Sequence, residues 1–102
     1  MIAGGNVQTT KSNTPEIASA ATALAANSGR LGFTIQNLGQ NALFVLLGTG
    51  ASTSVFHVVL KGSTANDDGS GGSLSLMSGA IYTGPVTIAG TSPRYVVTEL
   101  AP

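Results

Sequence analysis

Between Arg30 and Leu60 the chain reads RLGFTIQNLGQNALFVLLGTGASTSVFHVVL, three apolar runs divided by two turn signals, and this stretch holds most of the large apolar side chains. Leu31, Phe33 and Ile35 alternate with Gly32, Thr34 and Gln36. Residues two apart share one face of an extended strand, so this pattern predicts a strand buried on one side. Asn37-Leu38-Gly39-Gln40-Asn41 follows, supplying the Gly and Asn residues that tolerate positive φ in a short hairpin loop. On that reading Ile35 pairs with Leu43 across the loop and Phe33 lies opposite Val45, which puts Phe33, Ile35 and Val45 at the centre of the core. Ala42 to Leu47 is apolar at every position, so both faces of that strand are expected to be covered. Residues 48–54 (GTGASTS) break the pattern, and Val55 to Leu60 resumes it as a third strand.

The flanking segments fit the same class. Met1 to Thr14 is polar and aperiodic, and is set apart as an N-terminal arm ahead of a domain spanning 15–102. It is either a frayed terminus or a strap onto a neighbouring subunit, with Val7 to Thr10 adding an edge strand there. Pro15 to Asn27 is ambiguous. Thr14 as N-cap, Pro15 in the first turn and the run of alanines favour a short helix. Thr22-Ala23-Leu24 leads directly into the Arg30 strand, and we take Ala20–Leu24 as a strand. Residues 61–73 (KGSTANDDGSGGS) read as an exposed loop. Leu74 to Tyr82 allows one or two short strands, Val86-Thr87-Ile88 another, and Arg94 to Leu100 a last one with Tyr95, Val97 and Glu99 on one face. With 14 Gly, 23 Ser plus Thr and turn signals every few residues, the expectation is an all-β fold. That fold is a single β-sandwich or jelly roll of about seven or eight short antiparallel strands.

Charge excludes several functions. Four basic and four acidic residues give zero net charge, whereas a nucleic-acid binder needs clustered Lys or Arg to displace counterions from phosphate. No cysteine is present, so disulfides and thiolate metal sites are excluded. Asn66, Asp67 and Asp68 are consecutive and no Glu follows until Glu99, which is not the alternating ligand spacing of a calcium loop. His57, the single histidine, sits between Phe56 and Val58 with no nucleophile or carboxylate near it in sequence. Gly48-Thr49-Gly50 opens like a phosphate-binding loop but lacks the third glycine. No cofactor, metal or catalytic residue is expected, and the chain is not expected to be an enzyme. Residues 1–5 lack the basic n-region of a signal peptide, and no apolar run approaches the roughly 18 residues that would cross a bilayer. Synthesis in the cytoplasm, with no membrane partner, is expected.

The string R-L-G-F-T-I-Q-N-x-G-x-N-x-L-F-V, then L-G-T-G-A-S and F-H-V-V-L, resembles a group of small phage and prophage virion proteins. The later Tyr82-Thr83-Gly84-Pro85-Val86 and Gly90-Thr91-Ser92-Pro93-Arg94-Tyr95 resemble that group too, so the likeness runs from about Thr22 to Leu100. It implies a virion structural role, as a capsid decoration (cement) protein or a head-fibre, tail or baseplate module. The implied partners are the major capsid protein and further copies of the chain, as a homotrimer on the capsid surface. A chain with this little charge is prone to associate, in keeping with that role. Candidate contact residues are Val7, Gln8 and Thr9 in the arm, His57 and Tyr95 on strands, and Arg30 and Arg94 at strand starts. Each arginine has two readings, a bidentate contact to a partner or an ion pair with Glu99 or an Asp. A carbohydrate-binding sandwich is the rival, poorly equipped with no Trp and only Tyr82 and Tyr95 to stack on sugars.

Overall fold

Wherever apolar and polar residues alternate the chain is extended. The computed structural model describes residues 6–12 as backbone, 21–77 and 79–101. Its strands are β1 (Asn6–Ser12), β2 (Ala21–Leu24), β3 (Gly32–Asn37) and β4 (Leu43–Leu47), then β5 (Val58–Leu60), β6 (Ser73–Leu76), β7 (Val86–Ala89) and β8 (Tyr95–Ala101). They form two four-stranded antiparallel sheets, a first in the order β1-β8-β3-β6 and a second in the order β2-β7-β4-β5. Strand β1 pairs with β8, β2 with β7, β3 with β6 and β4 with β5. The chain is thus doubled into one long hairpin whose two arms pair along their length. It is then rolled until β8 meets β3 and β7 meets β4, which is jelly-roll topology.

The core lies between the sheets. From the first sheet Phe33, Ile35, Tyr95 and Val97 point inward, and from the second Leu43, Val45, Leu60, Val86 and Ile88 meet them. Phe33, Ile35 and Val45 are each 0% exposed, so the three residues expected at the centre are there. Val45 lies between Val58 and Ile88, and Ile35 between Leu74 and Val97, giving one apolar row across each sheet.

The expected hairpin between β3 and β4 does not form. Ile35 pairs with Leu74 and Val97, and Leu43 with Leu60, so the two strands lie in different sheets. The physical reason is that each has a strongly apolar face. In separate sheets the two faces stack across the core and cover each other, while β6 and β8 take the places beside β3. Asn37 secures the crossing. Its Nδ2 donates to the carbonyls of Asn41 (2.8 Å), Leu60 (3.1 Å) and Lys61 (3.2 Å), and its Oδ1 accepts from the Gly39 N–H at 2.9 Å.

Other expectations are also revised. Asn6–Ser12, inside the segment set apart as an arm, pairs along its whole length with β8 of the same chain, from Asn6 opposite Ala101 to Ser12 opposite Tyr95. Of the two readings of that segment, neither a frayed end nor a strand added to a neighbour is what forms; the edge-strand addition is made within the chain. Ala21–Leu24 is a strand, as taken; residues 13–20, including Ala20 and the start of the alternative helix, lie outside the described residues. Only Val58–Leu60 of the third apolar run is strand, and Ala80 to Tyr82 is not. Strand β7 is buried at all four positions: Val86 and Ile88 face the core, and the β4–β5 loop folds back over Thr87. The Ala51 N–H donates to Thr87 Oγ1 (3.2 Å), which itself donates to the Gly48 carbonyl (2.9 Å).

Candidate interaction surfaces

The loops fall into two clusters, one at each end of the sandwich. At the first end Arg30 is sequestered at 3% exposed. Its Nε donates to Glu99 Oε2 at 2.8 Å, Nη1 to the carbonyls of Tyr82 (2.9 Å) and Gly84 (2.8 Å), and Nη2 to that of Ala25 (2.7 Å). Its guanidinium carbon lies 5.5 Å from the Phe33 ring centroid. One planar side chain therefore ties the β2–β3 and β6–β7 loops to β8. Of the two readings, the structure gives Arg30 the ion pair with Glu99 and leaves nothing of it to meet a partner. Tyr95, at 4% exposed, is likewise a core residue and not a contact residue. Its burial also removes one of the two rings a sugar would need.

At the opposite end Arg94 is half-buried and closes on the Asp67 carboxylate in a fork. Nε donates to Oδ1 at 2.8 Å and Nη2 to Oδ2. That bond raises the Arg94 guanidinium above its ordinary value. The carbonyl of Arg94 accepts from the N–H groups of Leu38 (2.8 Å) and Gly39 (3.1 Å). Gln40, Asn41, Asn66, Ser92 and Pro93 surround a shallow recess of about 240 Å³ beside it. Gln40 Nε2 donates to the Thr64 carbonyl (2.9 Å) and Asn41 Nδ2 to that of Thr91 (3.1 Å), so these amides serve the loops. Asp68 is likewise used locally, accepting from Ala65 and Ser70. Among the described residues no group of three or more His, Asp or Glu could hold a metal ion, and no helix is long and apolar enough to cross a membrane.

His57 is exposed and precedes β5 instead of lying within it. Its N–H donates to the Val45 carbonyl (2.8 Å), and its Nδ1 accepts from the Leu47 N–H (3.1 Å), so the ring satisfies a backbone donor of β4. Beside it Phe56 packs on Phe44, centroids 5.1 Å apart and planes tilted by 59°. Val55, Phe56 and Val59 are 51%, 39% and 44% exposed, on or next to the outward side of the second sheet. Sequence reasoning passed over this patch because it took Val55 to Leu60 for one strand. The signal was present in the absence of charge from Leu31 through Leu60. Val7, Gln8 and Thr9 lie on β1, where the backbone alone is described; the structure does not bring them together with His57 or Arg94.

Comparison of the chain with protein-family models, with curated proteins and with solved structures gives no match.

Proposed function

We propose that this chain is a structural component of a phage virion, a capsid decoration (cement) protein that binds the assembled lattice of the major capsid protein and stabilises it. It acts as a homotrimer on the capsid surface. The mechanism is linkage: a module that binds the closed lattice and not its dispersed subunits adds its binding free energy to the lattice.

The observation that carries this reading is which residues bear the resemblance. Arg30, Asn37 and Gly39 belong to the string, and Arg94 to the later stretch, that resemble small virion proteins. In this fold they are the residues that hold the loops: Arg30 at one end, and Asn37 with the Gly39–Arg94 contact at the other. The likeness is therefore one of scaffold, and the jelly roll is an architecture that viral capsid domains use. A rigid sandwich with few charges is suited to being bound on a lattice.

The test is to add the purified full-length chain to capsids prepared without it. The expected result is saturable binding to closed capsids, none to free capsid subunits, and a rise in the temperature at which the shell opens. Binding at tails or fibres alone would move the module elsewhere in the virion, and no binding to any virion part would overturn the reading.

A further inference from the structure

Each sheet has two edges, and three of the four are blunted against further pairing. Strand β1 contains Lys11, β2 carries a register shift between Thr22 and Leu24, and β5 is three residues long with Lys61 directly after it. A charge, a bulge or a very short strand keeps other chains off a sheet edge. Strand β6 has no such device. It reads SLSL, without charge or proline, and runs in unbroken register from Ser73 opposite Gln36 to Leu76 opposite Phe33. The Asn37 N–H donates to the Gly72 carbonyl (2.9 Å), which fixes the parity of the ladder. Backbone groups of Leu74 and Leu76 therefore turn to β3, and those of Ser73, Ser75 and Met77 turn outward. Among the described residues no backbone group bonds to them there. The core is open on the same side. Leu74 and Leu76 pack against it but are only partly buried, and Met77 is 48% exposed.

We propose that β6 takes up an extended segment of the lattice protein, which adds to it as a further strand of the first sheet. The inference rests on the decoration reading above and names the chemistry of the segment bound. A row of alternating N–H and C=O groups is satisfied in full only by another extended backbone. The edge therefore selects a strand over a helix or a smooth apolar surface. The added strand sets every second side chain beside Leu74 and Leu76, so those side chains are apolar, and no proline stands where the strand must donate. A second copy does not fit a trimer. A three-fold axis never sets two β6 strands side by side, and the edges a neighbour could offer instead are the blunted ones.

Proline tests the edge with little harm to the fold, because the Ser75 N–H points away from β3 and takes no part in that ladder. S75P is expected to keep the wild-type circular dichroism and to bind capsids prepared without the chain roughly a hundredfold more weakly. S75A keeps the N–H, loses only the hydroxyl, and is expected to bind like the wild type. Hydrogen exchange needs no substitution. The Ser73, Ser75 and Met77 amides are expected to exchange quickly in the free protein and at least about tenfold more slowly on the capsid. That readout decides alone if S75P does not fold. Wild-type binding that leaves those amides unprotected overturns the proposal with the decoration reading intact, and so does a folded S75P that binds as tightly as the wild type. No wild-type binding to any capsid overturns both. If the free protein sediments as a dimer that protects the same amides and that S75P dissociates, a second copy holds the edge and the proposal fails.

Discussion

Arg30 shows how much of this fold hangs on one side chain. Its charge is shielded by Glu99, and three carbonyls of two loops depend on its nitrogens, so its removal strands a buried carboxylate and three acceptors together. Breaking a buried pair from one side costs about 3–5 kcal/mol, and R30A is expected to lose at least that in urea unfolding. R30K keeps the charge but puts all its donors on one nitrogen, which cannot span four oxygens, so most of the loss should remain. Were Arg30 a surface contact residue, R30A would instead weaken assembly and leave unfolding unchanged. Asp68 is the opposite case, fully exposed and local. Its carboxylate accepts from the Ser70 hydroxyl (2.6 Å) and from the Ser70 and Ala65 N–H groups (2.8 and 2.9 Å). These bonds, the hydroxyl first, hold its pKa below the ordinary 3.8. The folded loop therefore favours the ionised form. Its contribution is complete above 3.8 and is lost as the pH falls through the lowered folded value. The Ser70 amide resonance should report this step on acidification, and D68N should abolish it.

At the scale of elements, what was legible in the sequence was local. The alternation in Leu31–Gln36 and in Tyr95–Leu100 marks β3 and β8 correctly, down to Glu99 facing inward, because side-chain facing depends on a residue's immediate neighbours alone. Strand partners were not legible. The Asn37–Asn41 turn permits a hairpin and equally permits a crossing between sheets, and the choice depends on where β6 and β8 arrive from far along the chain. The Arg30–Glu99 pair spans 69 positions, so the sequence could offer it only as one of several ion pairs. Asn37 was read as a turn former, and nothing local revealed that its amide would collect the carbonyls of Leu60 and Lys61 at the end of β5. The facing of β3 gives a direct check. Phe33 is wholly buried, and truncating it to Ala is expected to cost about 3–5 kcal/mol. Thr34 points the other way and gives up one bond with Ser75, so T34A should stay within about 1 kcal/mol. Guanidinium unfolding of the two variants measures both, and equal losses would mean that β3 is covered on two sides.

For the whole molecule, the nesting of pairs makes β1 the last layer of the roll. It covers the edge of β8 from Asn6 opposite Ala101 to Ser12 opposite Tyr95, and β8 in turn lies against β3. Deleting residues 1–12 turns β8 from an interior strand into an edge, with a row of unpaired N–H and C=O groups. The gain from each ladder bond, about 0.5–1.5 kcal/mol, is of the same order as the cost of ordering a residue, so the fold itself should survive the deletion. Two changes are expected together: a lower thermal midpoint, and new association through the bared edge of β8, seen as higher mass in sedimentation. A peptide with the sequence of Asn6–Ser12 should reverse both, because it can add to β8 in the same antiparallel register. If the truncated chain keeps its midpoint and its mass, the β1–β8 pairing contributes nothing to the folded domain in solution. The segment then returns to the two readings its polar sequence first allowed, and a truncation that also weakens binding to capsids selects the strap onto a neighbouring subunit over the frayed terminus.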